Sequence, residues 1–277
     1  MRYKLAAAAS IGFVVLTGGT PLRAQMRDNT EKHMTCQNGG YDSDRVRHCE
    51  IREQSLPSVG ALNLDAGRNG GATVKGWLRS DVLVRTRIET AAENESAAAA
   101  LASRVAIESS GGHVGASGPE TNGQDAWWSV SYEVFVPQNT DLTVKTYNGG
   151  LTISDIRGQI RFEAHNGGVH LTRLAGDVSG ATVNGGVNVE LAGAMWDGRQ
   201  MDVTTRNGGV NVQMPAQYSA HLQAETQNGG VQSDFPYTSP EGNRRPRRLD
   251  FSVGSGGSLI HVATTNGHVS LKRASAQ

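Results

Sequence analysis

The chain has 277 residues, 26 Lys+Arg against 26 Asp+Glu, and only 5% aromatic residues. That length holds one large or two small domains, and the balanced charge gives no global basic field to gather nucleic acid. Thirty-five glycines beside so few aromatics argue against a deep globular core and fit a long, narrow, aliphatic one.

Residues 1–24 have the pattern of a secretory signal peptide. Arg2 and Lys4 precede an apolar stretch from Leu5 to Leu16, and Leu22-Arg23-Ala24 offers a cleavage site ahead of Gln25. The apolar stretch is short for a membrane span, so no transmembrane segment is expected after cleavage. Cleavage removes three cations and no acid, leaving the chain mildly acidic. The expected location is exported: periplasmic, cell-surface or secreted, in a bacterium.

Residues 25–56 form a polar N-terminal segment holding the only cysteines, Cys36 and Cys49. A close pair in an exported chain predicts one disulfide. The alternatives are two free thiols or half of a metal site, for which no second Cys or His cluster is at hand. From residue 57 to 273 the pattern is that of a β-strand-repeat domain. Leu62 opens it, and Asn69-Gly70-Gly71 is a degenerate first copy of the motif below. One short helix is predicted from about Ala92 to Val105, capped by Asn94 or Ser96. Ser109 to Gly123 is expected to be a long loop. Trp128 to Val136 alternate as a strand that Pro137 ends.

The motif then recurs with its centre at Asn148, Asn166, Asn184, Asn207 and Asn228, each followed by Gly-Gly, and at Asn266, followed by Gly-His. The spacings are 18, 18, 23, 21 and 38 residues, and the last is taken as two periods with one centre missing. Apolar residues fall six before, three after and five after nearly every Asn, with polar residues between. This is period-two alternation. Each repeat therefore predicts a strand, an Asn-Gly-Gly corner and a second strand. In the first three repeats a further bend follows, at Arg157-Gly158, Ala175-Gly176 and Ala192-Gly193. Asn and Gly both tolerate left-handed backbone angles, which a corner could use. The residues predict an all-β solenoid of about 18–23 residues per repeat, with coils stacked in order and the six asparagines in one inward, hydrogen-bonded column. Because Asn-Gly is also a hairpin signal, an antiparallel β-meander or sandwich is the rival. Residues 237–250 interrupt the repeats with an Arg-rich loop carrying Arg244, Arg245, Arg247 and Arg248.

Cys49-Glu50-Ile51-Arg52-Glu53, Trp128-Ser129-Val130-Ser131-Tyr132-Glu133, Val136-Pro137 and the Asn-Gly-Gly repeats together resemble the bacterial putative-adhesin family. Its members are exported β-strand-repeat proteins of unknown function. The resemblance covers about residues 49 to 273 and implies a right-handed parallel β-helix. It supplies no catalytic or binding residues.

No catalytic, cofactor or metal site stands out. The acids predicted to face outward, Glu163, Glu190, Asp202, Glu225 and Asp234, are scattered, whereas a polysaccharide lyase or hydrolase on a solenoid needs acid and base groups converging on one groove. His165 and His170 flank one corner, and two histidines make a poor metal site. Two outward rows suit a glycan or a protein partner of the envelope: Tyr147, His165 and Arg206 beside the corner, and His170, Asn188, Asn211 and Gln232 just past it. The expected function is that of a non-catalytic envelope scaffold or binding module. The alternative is a carbohydrate-active enzyme on the same solenoid.

Overall fold

In the computed structural model, residues 34–36, 41–42, 44–238 and 246–274 are described. The predicted leader lies outside them, as do Arg244 and Arg245 of the Arg-rich loop.

Among the described residues the chain is all-β apart from one helix, Glu95–Ser103. Two sheets face each other across one continuous aliphatic core. The alternating sequence makes this possible: Leu142 and Val144 before a corner and Leu151 and Ile153 after it are all buried, while Thr143, Lys145 and Thr152 are not. A regular coil consists of one strand in the ten-stranded sheet, the corner, and one strand in the eleven-stranded sheet. Ala61–Asp65 with Ala72–Trp77 is the first example in the chain, and Asp141–Asn148 with Leu151–Ser154 the next. Strands of adjacent regular coils pair in parallel, Asn against Asn and Val against Val, as in Val169↔Val187 and Asn166↔Asn184. The fold is thus solenoid-like. The sheets are nonetheless mixed, because antiparallel strands close both ends. Arg45–Pro57 and Asp81–Ala92 extend the eleven-stranded sheet beyond Trp127–Pro137. Ala106–Ser110 and Arg248–Val253 flank the ten-stranded sheet.

Stacking order departs from chain order at both ends. The coils of residues 141–154, 157–172, 175–190 and 200–214 follow one another. The next neighbour of 200–214 is then 259–273, and 220–233 lies beyond it. At the other end coil 61–77 lies between 141–154 and the strands His113–Ser117 and Trp127–Pro137. The first and last coils are therefore each inserted between two coils that are consecutive in sequence. The 38-residue spacing holds no missing centre: Asn228 pairs directly with Asn266, and the extra length contains the antiparallel strand Arg248–Val253.

The corners also differ from expectation. Among the described residues no corner asparagine has a positive φ. Glycine is needed there for close approach instead. A Cβ on Gly167, Gly185 or Gly267 would stand 2.0 Å from the carbonyl oxygen of the corner glycine in the next coil. The second glycine is under less pressure, since a Cβ on Gly186 would lie 3.4 Å from its nearest neighbour, and His268 occupies the equivalent place in the last coil. The asparagines do not point inward, for all six are exposed. The buried column beside them is threonine: Thr182, Thr205 and Thr264 donate their hydroxyls to the carbonyls of Gly167, Gly185 and Gly208. That donation satisfies corner carbonyls the core would otherwise leave unpaired. Left-handed angles occur at the opposite bends, at Asp155 (φ 60°) and Arg173 (φ 50°). Arg173 binds the Asp155 carboxylate with Nε and Nη2, each at 2.7 Å.

Asn94 caps the helix, its Oδ1 accepting from the Ala97 amide at 2.9 Å. Arg52 closes the other end by donating to the carbonyls of Ala102 and Val105. The buried face of Ala98, Leu101 and Ala102 rests on Arg45–Pro57 and Asp81–Ala92. The region expected to be a loop from Ser109 to Gly123 instead carries the strand His113–Ser117. Cys36 is disulfide-bonded to Cys49, with 5.7 Å between their Cα atoms.

Candidate functional site

The solenoid has an edge where the corners stack. Asn148, Asn166, Asn184, Asn207, Asn266 and Asn228 run along it in that spatial order, joined amide to amide at 2.7–2.8 Å. Asn69 extends the chain at its start, accepting from Asn148 at 2.9 Å. The ladder fixes the edge but spends its own donors and acceptors doing so.

The two candidate rows lie on different sheets, on either side of that edge. His170, Asn188, Asn211 and Gln232 face outward from the eleven-stranded sheet, where Asn211 donates to Asn188 at 3.1 Å. Tyr147, His165 and Arg206 face outward from the ten-stranded sheet. The two groups do not form one surface.

On the ten-stranded face the side chains shrink in the middle of the stack. One row runs Lys145, Glu163, Ala181, Thr204, Ala263, Glu225 by strand register. The row nearer the corner runs Tyr147, His165, Val183, Arg206, Thr265, Gln227. Long residues at each end of the first row and short ones between leave a trough. It comprises three adjoining hollows of about 810, 580 and 550 Å3, and Ala181 lines all of them. The sequence hides this feature, because Ala181, Thr204 and Ala263 each look like ordinary outward positions until register sets them side by side.

One wall is aromatic. Tyr147 and His165 stack with 4.3 Å between ring centroids and 9° between planes, and Lys145 pairs with Glu163 at 3.3 Å. The other wall is charged. Insertion of the last coil sets His261 between Asp202 and Glu225, at 2.7 Å and 3.2 Å from their carboxylates. Partial burial disfavours the charged imidazole, but the two carboxylate hydrogen bonds outweigh it and hold its pKa above the ordinary value. Arg206, Arg247 and Arg248 complete this wall. The exposed guanidiniums of Arg206 and Arg247 have no hydrogen-bond or ion-pair partner among the described residues.

The sequence missed the Asp202–His261–Glu225 cluster because it assumed coils stacked in order. Chemically the cluster is spent. Both carboxylates are engaged by one imidazole. Among the described residues, no group of three or more His, Cys, Asp or Glu is placed to hold a metal ion. No helix among them is long and apolar enough to cross a membrane.

A further hollow, of about 670 Å3, lies beyond coil 61–77, between residues 118–123 and Trp127–Pro137. Its Trp128 is held by the carbonyl of Pro119 at 2.8 Å, and Gly118 packs on its ring.

Comparison with solved structures finds a putative cell adhesion protein from Clostridium sporogenes at 12% identity, covering 82% of this chain and 100% of that one, with a TM-score of 0.44. A putative adhesin from Bacteroides fragilis is 8% identical, with 82% and 97% covered and a TM-score of 0.31. A putative lipid binding protein from Parabacteroides distasonis is 10% identical, with 82% and 97% covered and a TM-score of 0.32. No curated protein matches. The sequence profile of one family matches residues 96–272, well over half of the chain, and the protein accordingly belongs to the Toastrack family, DUF4097.

Proposed function

We propose that this protein is a non-catalytic binding module of the bacterial cell envelope, exported by its leader and wound as a right-handed parallel solenoid. The observation that carries the reading is the trough. It is a preformed concavity on a rigid sheet, and among the described residues the guanidiniums of Arg206 and Arg247 are unpaired while Glu163, Asp202 and Glu225 are engaged. Such a surface offers binding groups without an acid–base pair. The Cys36–Cys49 bridge supports export, since such bonds persist in oxidising compartments.

The test is co-sedimentation of the folded mature protein with native envelope fragments, alongside an assay for released sugar reducing ends. Saturable retention without turnover is the expected result. Protein that stays in the supernatant at every concentration contradicts the binding reading. The second reading is a carbohydrate-active enzyme, whose candidate site would be the one place on the trough where two carboxylates and an imidazole meet, Asp202–His261–Glu225. Turnover that disappears in His261→Ala would establish it.

A further inference from the structure

We infer that the slot over Val183 binds an acidic sugar residue of an extended anionic polysaccharide, a deepening that rests on the binding-module reading. Tyr147 and His165 occupy successive coils, about 4.8 Å apart. Their rings are nearly parallel at 4.3 Å, so they stand up from the sheet with their faces along the stack. One face of His165 is covered by Tyr147. The other turns toward Val183, which is too short to cover it. Beyond Val183 comes Arg206, two coil spacings or about 9.6 Å from His165 along the backbone. Val183 lines both the hollow beside His165 and the hollow beside Arg206, and the two-coil spacing is wide enough for one flat ring above it.

The chemistry of the two walls specifies the occupant. An aromatic face packs against the C–H face of a pyranose. A guanidinium takes a carboxylate through two parallel hydrogen bonds, and Arg206 has no competing partner among the described residues. The nearby acids do not repel this charge in full. Glu163 is paired with Lys145, and Asp202 and Glu225 are bound to His261. Arg247 and Arg248, the latter paired with Asp250 at 3.8 Å, line the same hollow as Arg206 further along the trough, so a longer acidic chain reaches further cations. An extended peptide fits less well. The floor consists of inner strands whose backbone groups are committed to neighbours on both sides, so it offers no edge for strand addition.

The experiment is calorimetric titration of the full mature protein with a short oligogalacturonate, its carboxyl-reduced counterpart and poly-glutamate of equal charge. Arg206→Ala and Val183→Trp, which fills the slot, are compared with Lys272→Ala, which removes an exposed cation from the other sheet. Thermal melts confirm that each variant folds. Acidic oligosaccharide binding should weaken roughly tenfold or more in Arg206→Ala and Val183→Trp. It should stay within about twofold in Lys272→Ala. The reduced oligomer and poly-glutamate should bind at least about tenfold more weakly. Absence of binding by the unaltered protein, unchanged binding by Val183→Trp, or equal binding of poly-glutamate would each overturn the inference. Envelope retention that survives Val183→Trp leaves the binding module standing and removes the slot from it. Absence of retention in the unaltered protein removes the binding-module reading itself.

Discussion

The middle of the solenoid and its last coil are built from the same motif, yet they are placed by different rules. From residue 141 to 214 each coil is added beside its predecessor. Coil 259–273 is instead set between 200–214 and 220–233, which were already consecutive in the chain. In a simple solenoid, a coil contacts its sequence neighbours and the chain end frays. Here the final coil has a parallel partner on both sides, and a coil earlier in the chain takes the outer position under Arg248–Val253. Repeats that are interchangeable in shape thus allow stacking order and chain order to separate. The interleaving also brings His261 to Asp202 and Glu225 and so helps to form one wall of the trough.

If the last coil is interior in space, damage to it should equal damage to the middle. The largest effects belong to the corner glycines. Gly185→Ala and Gly267→Ala each push a Cβ into a carbonyl oxygen 2.0 Å away. Each should cost about 4 kcal/mol or more in urea melts, against about 1 kcal/mol or less for Gly186→Ala. Next comes the core. Ile260 in the last coil is 1% exposed and Ile160 in the middle is 0% exposed, so Ile→Ala at either site should cost about 2–5 kcal/mol. A clearly smaller loss at Gly267 and Ile260 would show a frayed end.

A pH effect separates the regions rather than equating them. The folded-state pKa of His261 lies above its ordinary 6.5. Its contribution is therefore complete below that value and is lost as pH rises through the raised folded pKa. Relative to His261→Gln, the unaltered protein should lose stability over this alkaline-going window. Hydrogen exchange should place the loosening at coil 259–273 and not at coil 157–172. A smaller effect is expected on the exposed ladder. Asn184→Ala removes bonds to Asn166 and Asn207, both 2.8 Å, and should cost about 0.5–1.5 kcal/mol. Asn188→Ser on the other sheet should stay within about 0.5 kcal/mol.

What the sequence disclosed was local. Alternation around each Asn located the strands, and the Asn-Gly-Gly motif located the corners, because buried faces and close approach constrain every coil alike. Threonine recurs two residues before every one of the six corner asparagines except Asn166, the spacing of the buried column. Three things were not legible. The backbone at the corner was misjudged because glycine answers two demands, left-handed angles and close approach, with the same letter. The outward direction of the asparagines was hidden because a ladder of amides satisfies itself whether buried or exposed. Stacking order was hidden because the equivalence that reveals a repeat also removes any mark of which copy sits beside which. The trough inherits that ambiguity, since it depends on Ala263 and not Glu225 lying next to Thr204.

Disulfide trapping tests the interleaving directly. Thr204 and Ala263 are register partners in adjacent parallel strands, about 4.8 Å apart, within the range a disulfide can span. Thr204 and Glu225 are separated by that intervening strand and lie about 9.6 Å apart, beyond it. The doubly substituted Thr204→Cys/Ala263→Cys protein, oxidised under native conditions and mapped by mass spectrometry, should form the new bond rapidly and keep its stability. Thr204→Cys/Glu225→Cys should retain free thiols. Efficient cross-linking of the second pair, with none in the first, would mean that the coils stack in chain order and that the inserted last coil does not exist.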